Sequence, residues 1–259
     1  MIQTLTQSKA NMFFRCGEQF RRVYLEGERM PPGIALHKGV SVHKGAEYAN
    51  RAKANTNEEA PIDEVTDITR DTFMERTKKY GLFLSKDEKA EKTKILNIGL
   101  NESVDLAKAY RIDVSPTHKK VSFIEEYLMA DVGLDLPIAG KPDFIADNKN
   151  KDLKTSGKSW PAGKEQTEIQ PTIYKMLFKE NGIKNISFEY IIMSNLKSGV
   201  KIDLRTVKRT EKDEILLIRR LKKMIDTLNA GIFLPAEPGA WVCTPKWCGF
   251  YYSCPFTTK

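Results

Sequence analysis

The order of its elements gives this chain a mixed α/β fold. Three observations predict it. Apolar residues recur at helical spacing towards both ends of the chain. Short runs rich in β-branched and aromatic residues occupy the middle. One helical stretch divides those runs into a group of three and a pair. The expected order is helices, three strands, helix, two strands, helix, with the first three strands as an antiparallel meander.

Residues 8–26 read as a helix capped by Ser8. Met12, Phe13, Phe20, Val23 and Tyr24 form its apolar stripe, and Cys16 sits inside it. The run MPPG at 30–33 breaks it. A second helix, roughly 34–53, carries His43, and a polar loop follows at 55–61. Residues 62–113 are helical and highly charged, split near Gly81; we read them as a helical insertion with solvated charged faces. Val121–Ala130, Leu136–Ala146 and Asp152–Thr155 read as the three strands, with a turn at Gly133. Residues 163–181 return to helix through Ile169, Ile173, Leu177 and Phe178. Ile186–Met193 and Val200–Val207 pair about a turn at Asn195–Gly199. An amphipathic helix over 210–230 has Ile215, Leu216, Ile218, Leu221 and Ile225 as its apolar residues, and the charged run at 207–212 is its solvated start. One domain over 1–259 accommodates all of this, with 62–113 as the insertion and 241–256 as a cysteine-bearing tail segment.

The chain has 259 residues and 41% hydrophobic content, enough for one large core. No run approaches the roughly 18 uncharged apolar residues of a membrane span. The N-terminus has no basic region followed by an apolar run, so the expectation is a cytoplasmic protein with no membrane partner. In a reducing compartment four cysteines read as metal ligands or free thiols rather than disulfides. The formal charge of +8 fits a polyanionic partner without specifying chemistry.

Asp152 and Lys154 lie two apart on one strand and project to the same face. If the preceding strand pairs with theirs, Asp143 joins them. Two carboxylates and an ammonium at a sheet edge suit Mg²⁺ or Mn²⁺, with His43 as a further ligand favouring Mn²⁺. Such a cation polarises a phosphodiester and acidifies a bound water, and Lys154 can orient that water or offset charge on the phosphate. The run SGKS at Ser156–Ser159 resembles the end of a phosphate-binding loop but lacks its first glycine, since Asp152 occupies that position. Lys158 and Ser159 read instead as DNA-phosphate contacts or as a solvated loop. His37 and His118 have no partner pattern and read as surface or packing residues.

Four short patterns occur in a telling order: G-x-x-x-H from Gly39 to His43, G-x-P-D from Gly140 to Asp143, D-x-K-T-S from Asp152 to Ser156, and Q-x-x-x-Y from Gln170 to Tyr174. The chain resembles the PD-(D/E)XK nuclease superfamily, and within it the RecB-like and Cas4-like exonucleases, over about residues 13–256. The resemblance implies a restriction-endonuclease-like core and metal-dependent hydrolysis of DNA, with single-stranded DNA as substrate and DNA repair, recombination, phage or CRISPR processing as setting. It implies His43, Asp143, Asp152 and the carbonyl near Leu153 as metal ligands and Lys154 as the catalytic lysine. It also implies Gln170 and Tyr174 as residues that line the site and touch DNA. Only eight residues separate Asp143 from Asp152, and Lys151 stands where relatives have an apolar residue. Either the hairpin is unusually tight, or the aspartates fail to converge and the chain is a DNA-binding module for a helicase or recombination complex.

Relatives with an iron–sulfur cluster place one cysteine before the histidine motif and three near the C-terminus. Cys16, Cys243, Cys248 and Cys254 follow that arrangement, although the C-x4-C gap is longer than expected. Zinc sites usually show two short cysteine pairs, so one isolated and three grouped thiols favour a [4Fe–4S] cluster over structural Zn²⁺. A zinc-stapled interaction protein is the reading with no nucleic-acid role. Trp241, Trp247, Phe250, Tyr251 and Tyr252 are expected to shield the cluster or to stack on bases.

Overall fold

Residues 2–257 are described by a computed structural model. The N-terminal region forms two helices where one was expected. Helix α1 (Gln7–Arg15) is capped by Thr6, whose hydroxyl accepts from the Lys9 amide at 3.3 Å, so Ser8 lies within the helix. The chain then breaks at the extended Cys16 (φ −162°), whose sulfur caps α2 (Gly17–Phe20) by accepting from the Gln19 amide at 3.4 Å. The next residue explains the break. The Gly17 amide donates to the Leu234 carbonyl at 2.7 Å, and a Cβ on Gly17 would come within 2.8 Å of that oxygen. A single π-helical turn, Arg21–Leu25, completes the segment.

Helix α3 (Ile34–Thr56) carries His43 and packs against α4 (Ile62–Tyr80) and α5 (Lys92–Ala109). Residues 62–113 thus form the expected helical pair with its break at Gly81. Val42, Ala46 and Ala49 of α3 meet Val65, Leu106 and Tyr110, and this cluster continues onto Phe144, Leu153, Ile191 and Met193 of the sheet. The helical lobe therefore roofs one sheet face.

The strands are β1 (Val121–Ser122), β2 (Leu128–Ala130), β3 (Ile138–Gly140), β4 (Phe144–Ala146), β5 (Lys149–Ser156), β6 (Ser187–Leu196) and β7 (Gly199–Val207). The main sheet has the order β1-β4-β5-β6-β7, with β5 and β6 parallel and the other pairs antiparallel. The expected three-strand antiparallel meander is present as β1-β4-β5, but its first hairpin is split into two ladders. Val121–Ala130 is interrupted where Phe123 (φ 51°) and Glu125 (φ 54°) turn left-handed, and Leu136–Ala146 is interrupted between Gly140 and Phe144. The outer halves pair separately as β2 and β3, joined in parallel by Leu5. Gly140 is required here, because a Cβ would lie 2.7 Å from the Tyr174 ring.

Helices α6 (Lys164–Thr167), α7 (Gln170–Glu180) and α8 (Glu211–Asn229) follow. α7, α8 and α1 cover the second sheet face, where Ile173, Leu177, Leu217, Leu221 and Met224 meet Tyr190 and Ile192. α8 starts at a reciprocal cap between Thr210 and Asp213; of its expected apolar residues Leu221 and Ile225 are buried, whereas Ile215 and Leu216 are exposed and Leu217 and Met224 are buried instead.

The β4–β5 hairpin is tight and in register. Asp147 (φ 52°) and Asn148 (φ 60°) both adopt the left-handed conformation, the geometry of a two-residue type I′ turn. The Asp147 carboxylate accepts from the amides of Lys119 (3.2 Å) and Lys120 (3.0 Å), which anchors the turn. Pairing of Phe144 with Lys151 makes Asp143 and Asp152 the next opposed positions. Lys151 is buried and projects away from Asp152, forming an ion pair with Glu189 of β6. Lys149 pairs with the same carboxylate at 2.9 Å. Burial alone would raise the Glu189 pKa, but the two lysines hold it below its ordinary value.

Candidate active site

Four elements converge beside the β4–β5 hairpin. α3 supplies His43, whose Nδ1 lies 3.5 Å from Asp143 Oδ2. Asp143, immediately before β4, also accepts from the Leu153 amide of β5 at 2.7 Å. Asp152 of β5 is almost fully buried; its Oδ2 lies 2.7 Å from Lys154 Nζ. Its Oδ1 accepts from Gln170 Nε2, in the first turn of α7, at 2.5 Å. The Tyr174 hydroxyl, one turn further on, donates to the Lys141 carbonyl at 3.0 Å. The structure thus joins His43 to Asp143, Asp143 to the Leu153 backbone, and Asp152 to both Lys154 and Gln170. Tyr174 supports the loop before Asp143.

Glu125 is a member the sequence reading missed. It offers a ligand atom that, with those of His43 and Asp143, lies within 4.8 Å of the others. It sits at the left-handed kink after β1, where strand alternation gives no guide to side-chain direction; its backbone amide donates to the Asp143 carbonyl at 2.9 Å. Lys141 pairs with it at 2.8 Å.

Lys158 and Ser159 are exposed in the loop after β5, and none of their described contacts reaches the carboxylates. That loop is nevertheless ordered from β7. Arg205 donates to the carbonyls of Trp160 (2.9 Å) and Pro161 (2.8 Å), and pairs with Glu165. Arg209 donates to the carbonyls of Glu165, Gln166 and Glu168 and to the Thr172 hydroxyl. The charged run at 207–212 is therefore not merely a solvated helix start: its arginine fixes the entry to α7 and hence Gln170. His37 and His118 are both buried packing residues. His37 Nε2 bonds to the Gly81 carbonyl, and His118 packs its ring against Phe144.

The electrostatics are those of a coupled set. Burial would lower the His43 pKa, but the charge and hydrogen bond of Asp143 push it up to about 9. Asp143 is correspondingly held below the usual carboxylate range, against its burial, by His43 and Lys154. Burial pushes Asp152 up to about 6, with Lys154 opposing and Asp143 adding to the rise. Lys154 is kept charged despite burial by the two aspartates, and its ammonium lies 5.7 Å from the centre of the Tyr190 ring. An imidazole and carboxylates focused on one point, with a proton held among them, are a donor set that fits a divalent cation of the Mg²⁺ or Mn²⁺ type.

The four cysteines line one hollow with Arg22, Val242 and Phe250. They are not drawn together on a single-ion scale: among the described residues no three of their sulfurs lie within 4.8 Å of one another. Thiolates sharing one tetrahedral zinc would sit about 3.8 Å apart. Of the aromatic residues expected to shield them, Phe250 is buried, while Trp241, Trp247 and Tyr252 are exposed. Trp241 and Trp247 instead meet edge to face, 5.6 Å apart, at the surface.

A mixed five-stranded sheet with helices on both faces is consistent with a restriction-endonuclease-like fold, and His43, Glu125 and Asp143 make a candidate metal site at its hairpin edge. The chain belongs to the PD-(D/E)XK nuclease superfamily, whose family profile matches residues 4–255. Among solved structures it is similar to a "putative exonuclease" from Eubacterium rectale. That likeness has 11% identity and a TM-score of 0.61, covering 99% of this chain and 90% of the other. It is also similar to SSO0001, at 14% identity and a TM-score of 0.36, covering 90% of this chain and 89% of that one. No curated protein matches the sequence. No helix among the described residues is long and apolar enough to cross a membrane.

Proposed function

We propose that the protein is a divalent-metal-dependent exodeoxyribonuclease of the RecB-like or Cas4-like kind, acting on single-stranded DNA in repair, recombination or related DNA processing. The observation that carries this reading is the in-register hairpin, which opposes Asp143 to Asp152 beside His43 and Lys154. That register also favours the enzyme over the binding module.

In this reading His43, Asp143, Asp152 and the Leu153 carbonyl hold Mg²⁺ or Mn²⁺, and Glu125 extends the set. When bound, the cation polarises the phosphodiester and lowers the pKa of the attacking water. Lys154 stays charged beside Asp152, where it orients that water and offsets charge gathering on the phosphate. Gln170 fixes the rotamer of Asp152, and Tyr174 fixes the Lys141 loop. Lys158 and Ser159 contact phosphates along the strand. The four cysteines hold a [4Fe–4S] cluster that ties the two ends of the chain together, so that its binding energy becomes folding energy. The hollow that all four cysteines line supports a shared site for them, and one isolated with three grouped thiols favours the cluster over Zn²⁺.

The test is degradation of end-labelled single-stranded DNA with Mn²⁺ by protein purified without oxygen, beside EDTA and Lys154→Ala controls. Cleavage lost in both controls is expected, and iron should exceed zinc in the protein. No cleavage by fully cluster-loaded protein would sink the enzyme reading. A colourless protein holding one zinc would sink the cluster.

A further inference from the structure

The middle of α8 carries the run Arg219–Arg220–Leu221–Lys222–Lys223. Leu221 is buried, while all four cations are exposed. Among the described residues, Lys223 alone of the four has an acidic partner, Asp226 at 3.1 Å. The Arg220 guanidinium lies 4.4 Å from the centre of the Phe14 ring. Two hollows meet at this point. One runs between α8 and the entry to α7 and is lined by Phe14, Ile169, Thr172, Leu216 and Arg219. The other runs between α1 and the tail and is lined by Phe14, Arg15, Leu234 and Trp241. They adjoin at Phe13, Phe14 and Thr227, which line both, and together make a two-part groove.

The groove's walls alternate cations with exposed apolar faces: Leu216, Leu234 and Trp241 are each 47% exposed or more. Of its acids, Asp213 is occupied by the amide and hydroxyl of Thr210, leaving Glu168 and Glu237. One end borders the start of α7, and no residue of the catalytic set lines it. Ile169 and Thr172 line the groove, while Gln170 between them bonds to Asp152.

A surplus of unpaired cations interleaved with aromatic and apolar faces fits a polyanion whose bases are free to stack. That description matches single-stranded DNA better than a duplex, whose base faces are hidden. We propose that this groove is a track for single-stranded DNA that runs past the start of α7, an inference that rests on the nuclease reading above.

The experiment measures binding of a fluorescent oligothymidylate in EDTA, where nothing is cut, across a salt series. The R219E/R220E variant is compared with K78E/K79E, which changes the charge equally on exposed α4. R219E/R220E should bind about tenfold more weakly or worse, with a slope of log affinity on log salt shallower by about 1.4. K78E/K79E should stay within about twofold of wild type. W241A is an uncharged second arm: about fivefold weaker binding with an unchanged slope is expected. Circular dichroism and thermal melts establish that each variant is folded. Affinity and slope unchanged in R219E/R220E and in W241A would overturn the track and leave the groove to an acidic protein segment. Equal losses in R219E/R220E and K78E/K79E would overturn it too, because attraction would then be diffuse. Failure of the nuclease reading shows separately, as wild-type protein that binds the oligonucleotide but does not cut it with Mn²⁺.

Discussion

The carboxamide of Gln170 donates to Oδ1 of Asp152 at 2.5 Å, while Lys154 holds Oδ2 of the same carboxylate at 2.7 Å. A buried carboxylate clamped at both oxygens has one rotamer. Partners of this kind typically cost 10–100-fold in metal affinity or activity when removed. Gln170→Leu should therefore lower kcat by about 10–100-fold and raise the Mn²⁺ concentration needed for half-maximal rate. Metal titration of the cleavage rate checks this; an unchanged titration curve would mean that Lys154 alone positions Asp152.

Arg209 acts on the same clamp from a distance. Its guanidinium bridges three carbonyls and the Thr172 hydroxyl, fixing the turn from which α7 starts. Arg209→Met keeps the aliphatic stem but strands those carbonyls, at a cost of about 1–3 kcal/mol. Amide hydrogen exchange should rise at residues 164–172 and little elsewhere. Arg209→Lys should fail to restore protection, because an ammonium cannot span the fork.

Much of the site was legible in the sequence, because its chemistry rests on period-two alternation along one strand. Asp152 and Lys154 had to share a face, and Asp143 needed only a paired neighbour. The hairpin length looked anomalous from sequence, but Asp147 and Asn148 tolerate the left-handed conformation, and a two-residue turn then suffices. Glu125 was not legible: it lies at a kink that breaks alternation, and nothing local in the run SFIEEYL marks that kink. The helix break at Cys16 was equally hidden, because its cause is the backbone of Leu234, more than two hundred residues away. Arg209 was misjudged for the same reason, since the three carbonyls it holds at the entry to α7 are about forty residues distant.

Lys151 and Glu189 form a buried pair under the sheet, where an apolar residue was expected. Removing one member leaves the other charge uncompensated. Glu189→Gln should destabilise the fold by about 3–5 kcal/mol in urea denaturation. The double replacement K151M/E189L should recover most of that loss, since a well-packed apolar pair is often no worse than a buried ion pair. A double variant as weak as the single one would show that Lys149 or Thr206, which also reach Glu189, carry the interaction.

His118 gives the fold a pH dependence whose sign follows from its burial. Its ring packs on Phe144, and its Nε2 is buried without a hydrogen-bond partner. Burial lowers its pKa to about 4, with the nearby Lys151 and Lys53 adding to the shift, while Asp147 and Glu189 oppose it. The folded protein therefore resists the proton that the unfolded chain accepts near pH 6.5. Its stabilising contribution is complete above that value, declines as pH falls from 6.5 towards 4, and is lost below. At full extent it is on the order of 3 kcal/mol. Other acid-sensitive pairs also weaken in this range, so the informative quantity is the difference between wild type and His118→Phe. The fall in denaturant midpoint from pH 7 to pH 4.5 should be smaller in the variant, whose ring keeps the Phe144 contact but binds no proton. Identical slopes for the two proteins would mean that His118 takes up its proton in the folded state at its ordinary pKa.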